Sequence, residues 1–149
     1  MISVEEAQAR VIAAVTTLPA ETVALTDAAG RVLAGPLTAR RTQPPFAASA
    51  MDGYAMRGAD VATVPVTLTM VGAVAAGGFY EPTLQAGQCV RIFTGAPLPA
   101  GADTVVIQED TEANGDRITI VESEEAGGNV RDAGLDFRTG DQRLTAGTY

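Results

Sequence analysis

Pro44-Pro-Phe-Ala-Ala-Ser-Ala-Met-Asp-Gly-Tyr-Ala-Met-Arg57 is the stretch around which the rest of this chain is read. Pro44 and Pro45 fix two φ angles and push Gln43 toward extended geometry, so the segment enters as a stiff arm, not a helix. Ala47, Ala48, Ser49, Ala50 and Gly53 leave it almost without bulk, which lets its backbone come close to a neighbouring strand or a ligand. It holds a single carboxylate, Asp52, directly before a glycine that tolerates positive φ. Two readings stay open at this point. Asp52-Gly53 is a short turn, the commoner use of this dipeptide, or Asp52 is a functional carboxylate.

Composition narrows the chemistry more than it identifies it. At 149 residues and 46% apolar content, the chain can fold around one ordinary core or two small ones. Sixteen glycines and eight prolines favour many turns and short strands. No apolar run approaches the ~20 residues of a membrane span, and Glu5 and Glu6 behind Met1 do not suit a signal peptide. The lone Cys89 cannot form an intrachain disulfide, so a reducing cytoplasm is the expected compartment. A net charge of −8 opposes binding to nucleic acid. All ten cations are arginines, and without lysine or histidine the chain offers no Schiff base, imidazole base or histidine-bound zinc. Chemistry is left to carboxylates, hydroxyls, the thiol and backbone amides, a set that suits a hard ion such as Mg²⁺.

Outward from the central stretch, Ser3 to Leu18 reads as a helix. Ser3 and Glu6 have capping-box spacing, and Val4, Ala7, Val11, Val15 and Leu18 form one apolar stripe up to Pro19, expected to be core or a subunit contact. Glu21 to Leu25 alternates like a strand, and Val64 to Val74 reads as a strand starting at an edge beside Pro65. Cys89 to Phe93 is expected to be a strand with Val90, Ile92 and Thr94 on one face and Cys89, Arg91 and Phe93 on the other. Thr94-Gly95 then places a hydroxyl and backbone amides at a strand end, where they could meet an oxyanion; a strand ending in a tight turn is the plainer alternative. Thr104 to Gln108 and Arg117 to Val121 read as hairpin partners around Asn114-Gly115. The acids Glu109, Asp110 and Glu112 are read as solvated, as are Glu122, Glu124 and Glu125. Asp136, between Leu135 and Phe137, is either a partner for an arginine such as Arg131 or a functional group.

Four ordered blocks resemble one family. Ser49-Ala-Met-Asp-Gly-Tyr-Ala55, Arg91-Ile-Phe-Thr-Gly-Ala-Pro-Leu-Pro99, Gly101-Ala-Asp-Thr-Val-Val-Ile-Gln-Glu-Asp110 and Gly128-Asn-Val-Arg-Asp-Ala-Gly-Leu-Asp-Phe137 are similar to the molybdopterin molybdenumtransferases, which include bacterial MoeA and the E domains of gephyrin and plant Cnx. The resemblance covers essentially the whole chain. Ala47 and Ala48 depart from it, because relatives usually carry polar residues there.

The resemblance implies a mainly β fold with an N-terminal helix (α+β) in two small units, one of them discontinuous. Residues 1–39 with 124–149 would make a dimer-forming helix-plus-strands unit, and 40–123 a β-rich insert bearing the cleft residues. Family members insert molybdenum from molybdate into adenylylated molybdopterin with Mg²⁺ present, release AMP, and act as homodimers whose cleft is shared between subunits. This chain would be the N-terminal part of such an enzyme and inactive alone. Carried over residue by residue, Asp52 and Thr94 would be catalytic, with Asp52 the metal ligand. Ser49, Gly95 and Asp136 would bind substrate, Asp136 in a more structural role. The competing expectation is a non-catalytic dimerisation or scaffold module with the same fold.

Overall fold

The computed structural model describes residues 2–122 and 124–149. Among them are one α-helix and ten short strands, so the chain is mainly β with a single N-terminal helix. It divides into two compact units, Met1–Leu37 with Gln142–Tyr149, and Thr38–Asp141.

The first unit contains the helix α1 (Val4–Ala13), capped as its sequence dictates: the Glu6 amide donates to Ser3 Oγ at 3.2 Å. Arg10 pairs with Glu6 one turn back at 2.7 Å, a contact at the solvated surface. The helix ends at Ala13 instead of Leu18, and Ala14 caps it by donating to the Arg10 and Val11 carbonyls at 3.2 Å each. The expected apolar stripe buries nothing: Val11 is 65% and Leu18 91% exposed. Propensity without tertiary packing does not extend so short a helix, which is why the last turn is missing. Glu21 to Leu25 does not become a strand either, because no neighbouring edge pairs with it; a 3-10 turn occupies Leu25–Asp27. The C-terminus returns to this unit, with Leu33 exchanging backbone hydrogen bonds with Gly147 and Thr148 at 2.8 Å. The strands β1 (Leu37–Thr38) and β10 (Gln142–Leu144) pair with each other.

The second unit is built on a six-stranded sheet. Its strands are β3 (Gly53–Met56), β4 (Val66–Val74), β5 (Gln88–Ile92), β6 (Thr104–Ile107), β7 (Thr111–Asn114) and β8 (Arg117–Ile120), in the spatial order β6-β3-β5-β4-β8-β7. Strand alternation divides the core between the two faces of this sheet. Tyr54, Met56, Cys89 and Val106 join Leu68, Ile118 and Ile120 on one side. Ala55, Val90, Ile92 and Val105 join Val74 and Leu84 on the other. The expected alternation of β5 is therefore present, with Cys89 packed and free. Each fully buried Val or Ile contributes roughly 1.5–3 kcal/mol of burial free energy, so these faces hold the sheet together.

The hairpin forms around Asn114-Gly115, but its first arm is β7 and not Thr104–Gln108. Thr104–Ile107 instead pairs with β3, and a 3-10 turn at Gln108–Asp110 separates the two. Apolar patterning could not distinguish these partners, since Thr104–Ile107 is the more apolar of the two candidate arms.

Residues 124–141, grouped with the helix in the sequence reading, lie in the second unit. The reason is backbone bonding. β9 (Val130–Arg131) pairs with β2 (Ala48–Ser49), and the Val105 amide donates to the Gly128 carbonyl at 3.0 Å. Gln43 and Phe137 form an isolated bridge, with the Gln43 amide donating to Phe137 O at 2.8 Å and the Asp136 amide to Gln43 O at 3.0 Å. The proline-stiffened arm is thus zipped to the last family-like block of the sequence. The same segment closes the outer edge of β6, where Asn129 Nδ2 donates to Val105 O at 3.0 Å.

Candidate functional site at a junction of strand ends

Topology brings the site together. β3 runs antiparallel to both β5 and β6, so the start of β3 lies beside the ends of its two neighbours; Gly53 is opposite Ile92 on one side and Ile107 on the other. Asp52 precedes β3, Thr94 follows β5 by two residues, and Gln108 follows β6 directly. Residues 42 positions apart in the chain thereby meet. The closeness requires Gly53: a Cβ there would sit 2.0 Å from the Val106 carbonyl oxygen, inside any permitted contact. The small-residue approach predicted for this stretch is therefore a close approach to a strand.

One oxygen of Asp52 is held twice. The Thr94 amide and the Thr94 hydroxyl each donate to Asp52 Oδ1 at 2.8 Å. The Gln108 amide donates to the Asp52 backbone carbonyl at 3.2 Å. Among the described residues, no side chain or backbone donor bonds Oδ2, and the residue is exposed. The two Thr94 bonds, amide first, hold the Asp52 carboxyl below its ordinary value of 3.8 against an opposing effect of burial, with a lesser contribution from the nearby Arg91 charge. Asp52 is thus an ionised, oriented carboxylate with one oxygen facing outward.

Other residues singled out from the sequence have different surroundings. Ser49 is buried, with its hydroxyl donating to Met51 O at 2.5 Å and accepting from the Met51 amide at 3.3 Å, so it shapes the loop before Asp52. Gly95 has φ +82, a left-handed value suited to glycine, and donates its amide to Ser49 O at 2.9 Å. The Ala96 amide donates to Phe93 O at 2.9 Å. The amides of Thr94, Gly95 and Ala96 are therefore all engaged within the chain, and the expected backbone cradle for an oxyanion does not form. Its donors are consumed in closing the turn that presents Thr94 to Asp52. Asp136 is exposed, and among the described residues the ion pairs are Arg10–Glu6 and Arg31–Glu21, so of its two readings the ion pair with Arg131 does not form. Cys89 is no nucleophile: burial pushes its thiol up to about 12.

Arg91 belongs to the site and was not singled out from the sequence as a site residue. Its Nη1 donates to Gly53 O at 2.7 Å and its Nη2 to Gln108 Oε1 at 2.5 Å. Its guanidinium carbon lies 5.1 Å from the Tyr54 ring centre and 4.8 Å from that of Phe93. The available signal was an arginine two residues before an aromatic on one strand face; its cross-strand partner Tyr54 depends on register, which the sequence does not print.

The first unit carries an open groove of about 870 Å³ along Thr17 to Ala34. Its charged residues, Glu21 and Arg31, pair with each other at the exposed rim, and it contains none of the residues gathered around Asp52. Among the described residues, no group of three or more acidic or sulfur side chains is arranged as a metal cage, and no helix is long and apolar enough to cross a membrane.

Fold and site together define a β-rich region presenting a fixed carboxylate where three strand ends meet. A family profile described as "MoeA N-terminal region (domain I and II)" matches residues 2–149, and the chain belongs to that family. Among its relatives is the molybdopterin molybdenumtransferase of Nostoc sp., 44% identical over 134 residues that cover 86% of this chain and 30% of the relative. The molybdopterin molybdenumtransferase of Bacillus subtilis is 37% identical over 155 residues, covering 99% of this chain and 36% of its own. A crystal structure of the molybdopterin biosynthesis moeA protein from Pyrococcus horikoshii superposes with a TM-score of 0.80 at 31% identity, covering 97% of this chain and 38% of that one. The chain thus spans about a third of the length of the curated relatives it matches.

Proposed function

We propose that this chain is the N-terminal part of a molybdopterin molybdenumtransferase, which inserts molybdenum from molybdate into adenylylated molybdopterin and releases AMP in molybdenum cofactor biosynthesis. The observation that carries this reading is the Asp52 carboxylate, held at one oxygen by both donors of Thr94 and open at the other. Membership of the family and the relatives' name, molybdopterin molybdenumtransferase, support a transfer of molybdenum to molybdopterin.

Mg²⁺ suits the donor set. This ion is commonly bound through one or two carboxylates together with substrate phosphates and water, not by an all-protein cage, and Asp52 Oδ2 offers one such oxygen. When bound, Mg²⁺ would neutralise charge on the phosphate oxygens. Thr94 takes a different role from the one expected of it. Its single hydroxyl hydrogen and its amide are both directed at Asp52, so it orients the carboxylate in place of donating to an oxyanion. The net charge of −8 and the lack of lysine make the chain alone a poor home for an anionic pterin nucleotide, so the remaining polypeptide of the relatives is assigned the main substrate contacts. A homodimer with a shared cleft completes the proposal.

The test is this chain joined to the remaining polypeptide of the Nostoc relative, with and without Asp52→Ala, assayed for molybdenum insertion at matched folded concentration. The variant is expected to lose at least ~100-fold in rate while its melting temperature changes little. Equal rates would overturn the assignment.

A further inference from the structure

We propose that Arg91 is a positioning residue, which ties the start of β3 to the end of β6 and so holds the Asp52–Thr94 pair in one geometry. This rests on the reading of Asp52 as the functional carboxylate.

Three observations carry it. First, the guanidinium fork reaches from β5 to its neighbour β3 and past it to the end of β6, donating to Gly53 O at 2.7 Å and to Gln108 Oε1 at 2.5 Å. Both recipients are coupled to Asp52: Gly53 follows it in the chain, and the Gln108 amide donates to its carbonyl at 3.2 Å. Secondly, the fork is fixed in place by the rings of Tyr54 and Phe93, 5.1 and 4.8 Å from its central carbon. A planar cation stacked on aromatic rings loses little further freedom when it forms its hydrogen bonds. Thirdly, Phe93 immediately precedes Thr94, so the contact that fixes Arg91 also fixes the residue that holds Asp52. Arg91 forms no ion pair within 4 Å of a described carboxylate. Its hydrogen bonds go to a main-chain carbonyl and an amide oxygen at the mouth of the site. That pattern fits a brace, whereas an arginine serving as an anion receptor would hold its paired donors outward.

The experiment uses the 149-residue chain without substrate. Hydrogen exchange follows the Thr94 amide. Arg91→Met keeps an apolar stem between the rings and removes the fork. It is expected to speed Thr94 amide exchange roughly tenfold, the scale of one lost charge-assisted hydrogen bond. Arg91→Lys keeps the charge without the fork and is expected to leave Thr94 exchange fast. Recovery of parental exchange by lysine would overturn the brace, since charge alone would then suffice. A folded Arg91→Met chain with parental Thr94 exchange would overturn it too. Where Arg91→Met does not fold, Gln108→Ala decides: it removes one arm at an exposed position, and faster Thr94 exchange supports the brace while parental exchange refutes it. These readouts do not use the reaction. If Asp52→Ala leaves molybdenum insertion intact while Arg91→Met loosens Asp52, the brace stands and the functional reading falls.

Discussion

Thr94 directs two donors at one oxygen of Asp52, and this asymmetry governs how the carboxylate behaves. Thr94→Val removes the hydroxyl bond and keeps the shape, so the Asp52 midpoint should rise toward 3.8 in an NMR titration; an unchanged midpoint would mean that the hydroxyl bond contributes nothing. Asp103 is held low in the same way, by the Gly58 amide at 2.7 Å and then by the Thr104 hydroxyl at 2.8 Å. Both carboxyls are lowered in the folded state. Below about 3.8 the unfolded chain therefore binds more protons than the folded one, and stability falls as pH drops toward the folded values. The urea midpoint should decline as pH falls below about 3.8, and Asp103→Asn should flatten that decline; a decline as steep as the parent's would show that Asp103 takes no part. Asp52 and Thr94 were both legible as candidates, one as the only carboxylate in a bare stretch and the other as a hydroxyl before glycine. Their contact was not, because it depends on a register linking positions 42 residues apart.

At the scale of elements, β3 is the tightest point of the fold. Gly53→Ala places a methyl group 2.0 Å from Val106 O between two paired strands, and should destabilise by roughly 3 kcal/mol, the upper end of overpacking costs. Chemical denaturation checks this, and a loss within experimental error would contradict the close approach. The edge of β6 has its own closure. Asn129, at φ +54, bonds Val105 O at 3.0 Å and Glu124 Oε1 at 2.9 Å through its amide nitrogen. Asn129→Ala should lose roughly 2 kcal/mol through the lost bonds and the left-handed backbone, measured by the same denaturation. Short-range signals were read correctly where they were self-sufficient: the Ser3 cap, the alternation of β5 and the Asn114-Gly115 turn. They misled where a partner had to be chosen. Thr104–Ile107 looked like a hairpin arm and is paired with β3, and Glu21–Leu25 alternated like a strand with no edge to join.

For the whole molecule, the division into two units places the chain's bonding along 124–141 with the sheet, where the resemblance had suggested the helical unit. The helix leaves its apolar residues exposed, Val4 at 72% and Val11 at 65%, and the proposed homodimer would use them. Sedimentation should then show self-association that Val11→Asp weakens by at least ~10-fold, since burying an unpaired charge is costly. Identical profiles for parent and variant would remove α1 from any interface.

The central claim is that the charge of Asp52, not merely its shape, serves the reaction. Asp52→Asn preserves an oxygen that can accept both Thr94 bonds and puts an uncharged NH2 in place of the open Oδ2, so it tests the charged, outward oxygen with the Thr94 contacts kept. Molybdenum insertion should be measured against Mg²⁺ concentration for this variant in the chain joined to the remaining polypeptide of the Nostoc relative. The account predicts a rate at least ~100-fold lower that added Mg²⁺ does not restore to the parental maximum. A variant matching the parent at every Mg²⁺ concentration would contradict it.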